Sequence, residues 1–108
     1  MRIFFVISVL FLFSIPVARA EDTGKKTYTD KCLVCHGTKG NGKGPAAMAL
    51  RPAPPDFTDS GFWDEKTDEA LAGVIRKGKP GTPMGGYGEF TDEQLNDLIS
   101  YLKTFKKE

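Results

Sequence analysis

Two thiols separated by two residues, with an imidazole directly behind the second, are the most chemically informative group in this 108-residue chain: Cys32-Leu33-Val34-Cys35-His36. A close cysteine pair can form a disulfide, hold a metal, act as a thioredoxin-like redox couple, or attach a haem. A structural zinc site wants four ligands, and the whole chain has two Cys and one His. A thioredoxin-like couple wants a buried strand ahead of it, whereas Lys25-Lys26-Thr27-Tyr28-Thr29-Asp30-Lys31 is polar throughout. A bare short disulfide remains as the plain alternative. The C-x-x-C-H pattern fits haem attachment best, because two thiols so spaced on one helical turn reach the two vinyl groups of one macrocycle. The histidine that follows is then aimed at the iron.

The residue on the other side of the iron decides whether such a haem passes electrons or binds molecules. Two methionines lie beyond the first twenty residues, Met48 and Met84. Met48 falls in Pro45-Ala46-Ala47-Met48-Ala49-Leu50, which reads as a short helical turn with Pro at its first position, where methionine usually fills a gap in the core. Met84 falls in Gly78-Lys79-Pro80-Gly81-Thr82-Pro83-Met84-Gly85-Gly86-Tyr87-Gly88, too rich in Gly and Pro for helix or strand. A methionine in a polar loop stiffened by the preceding Pro83 suits a fixed ligand. His36 and Met84 are therefore the expected iron ligands.

These residues must be positioned by a small all-α domain. A first helix is expected over 23–35, with Tyr28, Cys32 and Cys35 on one face. Residues 37–66 read as irregular apart from a turn at 45–50, a length that argues against a compact domain unless the segment wraps an apolar group that supplies the missing core. Thr67-Asp68-Glu69 opens a helix that runs to Lys77 and stops at Gly78, with Leu71, Val74 and Ile75 as its buried stripe. Thr91-Asp92-Glu93-Gln94 is a capping box ahead of a final helix in which Leu95, Leu98, Ile99, Leu102 and Phe105 recur at helical spacing. Tyr28 and Tyr101 are expected to meet where the first and last helices cross, with Gly24 either permitting the close approach or simply loosening the helix start. Trp63, beside Phe57 and Phe62, reads as satellite core, with its N–H as a candidate partner for a haem propionate.

The first twenty residues read as an export signal rather than as part of the fold. Met1-Arg2, an apolar run from Ile3, and Ala18-Arg19-Ala20 supply the basic head, apolar middle and small-x-small cleavage site. Pro16 and Arg19 cut the run short of a membrane span. The expected organisation is a signal peptide over 1–20 and one domain over 21–108, with no stable membrane anchor after cleavage. Losing Arg2 and Arg19 takes two of fifteen basic residues and none of fourteen acidic ones, leaving a net charge of −1. That balance gives no electrostatic ground for nucleic-acid binding.

Over nearly all of 21–108 the sequence resembles the class I monohaem cytochromes c, in particular small bacterial periplasmic members. Gly24 and Tyr28 occupy the places of a glycine and an aromatic in that family's first helix. A Gly-rich loop ending in Gly-Pro follows the haem motif, matched by Gly37, Gly40, Gly42, Gly44 and Pro45. Arg51-Pro52-Ala53-Pro54-Pro55-Asp56-Phe57 and the run from Thr82-Pro83-Met84 to the last helix also match. The resemblance implies three main helices plus loops around one covalent haem c, and a Pro45 carbonyl that accepts a hydrogen bond from His36. It implies a one-electron carrier, not an enzyme, in a periplasmic or other extracytoplasmic respiratory chain, with redox proteins as partners and the chain itself a monomer.

With both axial positions filled, a substrate has no open site, and no pair of acids suggests acid–base catalysis. A gas-binding or peroxidase-like haem protein and a tethered electron-entry subunit of an oxidase or reductase are the competing readings. Charge is uneven along the chain. Residues 21–51 carry +3 and 70–88 carry +3, whereas 52–69 carry −5 and 89–108 carry −2. Both segments that supply expected iron ligands are basic: either their lysines surround an exposed haem edge and steer an acidic partner there, or they are merely solvated and docking is apolar.

Overall fold

A computed structural model describes residues 3–4, 8–14 and 20–107 of the chain, and those residues contain five α-helices and no strand. The helices are α1 (Ala20–Lys31), α2 (Leu33–His36), α3 (Ser60–Glu65), α4 (Asp68–Lys77) and α5 (Asp92–Lys103), with a 3-10 turn at Ala47–Ala49 between α2 and α3.

The most apolar stripe belongs to α5, which buries Leu95, Leu98, Ile99 and Leu102. Its start is fixed as the sequence predicts: the Thr91 hydroxyl accepts from the Gln94 N–H at 3.1 Å, and the Gln94 side chain accepts from the Thr91 N–H at 2.9 Å. Helix α4 contributes Leu71 and Ile75, is capped by Thr67 and ends at Gly78, whose φ of 73° suits glycine. Helix α1 is mostly polar and enters the core through Gly24 and Tyr28 alone among its fully buried residues. A side chain at position 24 would collide with the Asp97 carbonyl and lie 2.8 Å from Tyr101 Cβ, so glycine is what lets α1 and α5 cross in contact. Just beyond the crossing the Tyr28 ring packs 5.4 Å from Tyr101 and 5.2 Å from Phe105, and its hydroxyl donates to the Gly37 carbonyl.

Three expectations need correction. The first helix does not run unbroken to residue 35: it stops at Lys31, and Cys32 is a joint between α1 and α2. The reason is a tightening of hydrogen bonds at the joint, where Cys35 N–H and His36 N–H both reach the Cys32 carbonyl, at 3.3 and 3.0 Å. Segment 37–66 contains α3, whose Asp59 cap accepts from the Gly61 N–H at 3.0 Å. Six residues including Ser60 and Gly61 are too few to show a helical period. Met48 is not core: it is 90% exposed on the 3-10 turn, because Ala47 is the residue of that turn that points inward.

Of the expected signal segment, residues 8–14 form no helix and are exposed, while Arg2, Pro16 and the Ala18-Arg19 part of the cleavage motif lie outside the described residues. Among the described residues no helix is long and apolar enough to cross a membrane.

The crossing predicts opposite outcomes for two helical glycines. Gly24→Val should lower the stability of the folded protein by about 1–3 kcal/mol, the usual range for overpacking. Gly73→Ala, in α4 where an added Cβ would meet nothing within 4 Å, should raise it by up to about 1 kcal/mol. Urea unfolding of the two variants beside the parent checks both.

Candidate haem site

The two cysteines lie at the exit of α1, where the chain turns sharply into a single helical turn. Behind that turn the Gly-rich loop returns so closely that a Cβ on Gly44 would stand 2.7 Å from the Cys35 carbonyl carbon. The Gly44 N–H donates to the Cys35 carbonyl at 3.1 Å and the Ala46 N–H to the Val34 carbonyl at 2.9 Å. These bonds brace the back of the C-x-x-C-H segment and leave its two thiols and its imidazole to face the other way.

They face an open, largely apolar cleft that is continuous with solvent. Cys32, Cys35, His36 and Met84 all line it. Both thiols are free and half-buried. Burial, and secondarily the neighbouring Cys35, pushes the Cys32 thiol up to about 11. Burial lowers the His36 pKa, which keeps the imidazole neutral and its lone pair available to a metal.

The His36 ring is held by packing. It stacks on Phe57, ring centres 4.9 Å apart and planes 17° from parallel. Phe57 is itself fixed by its N–H to the Gly40 carbonyl at 2.7 Å. Trp63 closes this corner, and its indole N–H is occupied by the Phe57 carbonyl at 2.8 Å, as satellite core requires and a propionate contact does not. His36 Nδ1 is sealed from solvent and has no hydrogen-bond partner. The Pro45 carbonyl is therefore not its acceptor in this structure. Pro45 sits exposed between the two bonds that brace the loop, and stacking on Phe57 sets the ring instead.

On the other side, Met84 is carried by the loop that follows α4. Its carbonyl accepts from the Lys79 N–H at 3.2 Å, and the Tyr87 N–H reaches back to the Ile75 carbonyl at 2.8 Å. Gly86 lies so near the end of α4 that a Cβ there would be 2.6 Å from the Arg76 carbonyl. The Tyr87 hydroxyl donates to the Lys31 carbonyl at 3.1 Å. Lys31 and Lys79 also line the cleft, and neither joins an ion pair among the described residues.

The donor set agrees with haem and disagrees with a multidentate protein metal site, since no cluster of three or more His, Cys, Asp or Glu suited to a metal exists among the described residues. Two free thiols, one neutral imidazole and one thioether on a single, largely apolar cleft are what a covalently attached iron porphyrin needs. Sequence reasoning missed the Phe57 stack and the Tyr87 bridge. Neither aromatic has a motif or period that marks it, because each acts across a distance in sequence that only the fold closes.

Fold and cleft together define a haem-attachment domain of the c type. The family model described as Cytochrome c matches residues 21–106, and the chain belongs to that family, with covalently bound haem c as its cofactor. Cytochrome c oxidase subunit 2 of Bacillus sp. (strain PS3) is 34% identical over 101 residues, covering 86% of this chain and 27% of that protein. Thiosulfate dehydrogenase of Psychrobacter arcticus (strain DSM 17307 / VKM B-2377 / 273-4) is 33% identical over 85 residues, covering 75% and 24%. The chain thus spans about a quarter of the length of these curated relatives. Among solved structures, the Kuenenia stuttgartiensis reducing HAO-like protein complex Kustc0457/Kustc0458 superposes with a TM-score of 0.70 at 27% identity, over 85% of this chain and 46% of that one. The KustC0563 c-type cytochrome superposes with a TM-score of 0.64 at 26% identity, over 78% and 98%. The all-α architecture is that of a cytochrome c.

Attachment through both thiols predicts that haem stays with the chain through denaturation and acid extraction. Cys32→Ala or Cys35→Ala should reduce the yield of holoprotein, read from haem absorbance per unit of polypeptide.

Proposed function

We propose that this chain is a one-electron carrier rather than an enzyme, holding one haem by thioethers from Cys32 and Cys35 with His36 and Met84 as axial ligands. The observation that carries this reading is that all four side chains line one cleft. A haem there supplies a ferric/ferrous couple. The protein's part is to hold the imidazole by the Phe57 stack, to hold the thioether by the loop bonds to α4, and so to leave no coordination position for a substrate. A thioether ligand favours the ferrous form and raises the potential relative to a second histidine.

The expected export signal over 1–20 supports a working domain over 21–108 in the periplasm or another extracytoplasmic compartment. Similarity to part of an oxidase subunit supports a respiratory setting. The partners are then redox proteins. Lys31 and Lys79 at the cleft, both exposed and outside any ion pair among the described residues, favour a partner with an acidic docking face. Asp92 and Asp68, which pair with Arg76 and Lys103, remove those two cations from that role.

Met84→Ala should lower the potential and let the ferrous protein bind carbon monoxide, while Met48→Ala, at an exposed position, should change neither ligation nor stability. A spectroscopic redox titration with and without carbon monoxide measures this, and a parent protein that already binds carbon monoxide readily would favour a ligand-binding haem protein instead.

The second-order rate of electron transfer to an acidic partner should fall as ionic strength passes about 0.1 M, where the screening length is about 10 Å. Lys79→Glu should slow it at low salt, and Lys39→Glu, away from the cleft lining, should slow it less. Stopped-flow kinetics over a salt series would show rates indifferent to both if docking were apolar.

A further inference from the structure

The loop carrying Met84 is tied almost wholly to α4. Gly78 N–H to the Val74 carbonyl (2.8 Å), Lys79 N–H to the Met84 carbonyl (3.2 Å) and Tyr87 N–H to the Ile75 carbonyl (2.8 Å) all lie within the loop or at its root. None of them reaches across the cleft to the segment bearing Cys32, Cys35 and His36. Among the described residues one hydrogen bond does: the Tyr87 hydroxyl to the Lys31 carbonyl at 3.1 Å.

The acceptor is available for a definite reason. The chain breaks at Cys32, so the N–H of Cys35, four residues beyond Lys31, is given to the Cys32 carbonyl instead. The Lys31 carbonyl is left as an orphan helix end, and Tyr87 satisfies it. The donor is equally well held. Its ring is stacked on the buried Phe90, centres 5.2 Å apart and planes 6° from parallel, so the hydroxyl is aimed rather than swinging.

We propose that Tyr87 is a positioning residue: its hydroxyl latches the Met84 loop to the end of α1 and so keeps Met84 over the iron against competing external ligands. The inference rests on the Met84 ligation proposed above. The latch acts at the residue directly before Cys32, so the two sides of the cleft are joined beside the point where the chain is bonded to the haem. Opening the loop must break this bond, while the bonds to α4 can stay intact.

The experiment is cyanide titration of the ferric holoprotein in the parent, Tyr87→Phe and Tyr28→Phe. Phenylalanine at 87 keeps the ring on Phe90 and removes only the latch. Tyr28→Phe removes another tyrosine-to-carbonyl bond, to Gly37, that does not touch the loop. Tyr87→Phe should raise cyanide affinity about two- to tenfold, the range for one lost neutral hydrogen bond. Tyr28→Phe should lower the urea midpoint and leave cyanide affinity where it was. Unchanged affinity in Tyr87→Phe, or an equal rise in Tyr28→Phe, overturns the latch, since the effect would then be general loss of stability. Met84→Ala is the separate arm: if it leaves cyanide affinity at the parent value, Met84 is not the ligand and the ligation reading fails first, taking the latch with it. Amide exchange at Lys79 and Tyr87 gives a readout independent of the iron, and should quicken in Tyr87→Phe only.

Discussion

The crossing of α1 and α5 at Gly24 is the contact on which everything else in this fold depends. Helix α1 is too polar to bury itself by area, and it reaches the core through one tyrosine and one glycine. A missing Cβ therefore does what an apolar stripe does elsewhere, by letting the α1 backbone lie against the Asp97 carbonyl so that Tyr28 drops between Tyr101 and Phe105. Because Cys32 follows at the end of the same helix, the placement of the haem motif is a consequence of that close approach.

From this anchor the cleft is closed by two devices of different character. On the histidine side the restraint is dispersion and stacking: Phe57 lies flat on His36, with Phe62 and Trp63 packed behind it. On the methionine side it is hydrogen bonding, with backbone groups exchanged between the loop and the end of α4 and one tyrosine reaching across. The difference suits the two proposed ligands. An imidazole offers a flat face that can be stacked, whereas a thioether offers neither a face nor a strong hydrogen-bonding group, so its backbone must be held instead.

What could be read in the sequence follows from range. Local signals were legible: the Thr91 and Gln94 box, the Thr67 cap, Gly78 at the end of α4, and the five-residue haem motif each carry their meaning within a few positions. The Tyr28 and Tyr101 meeting was legible because both helices announce themselves by period. Three features were not. The break at Cys32 arises from the Cys35 and His36 N–H groups both turning to the Cys32 carbonyl, and α3 is too short to show a period. Met48 reads as core by composition, but the turn that carries it points Ala47 inward.

The first and last helices of the domain are the pair that holds the haem motif in place, and this bears on how the holoprotein is made. Until α5 has been synthesised and has met α1, the crossing at Gly24 cannot form, and the C-x-x-C-H segment has only the bonds of its own loop and of Tyr87 to hold it. Non-local contacts of this kind are slow to form. The final placement of Cys32 and Cys35 against the rest of the domain thus waits on the C-terminal helix, the last part of the chain to be made.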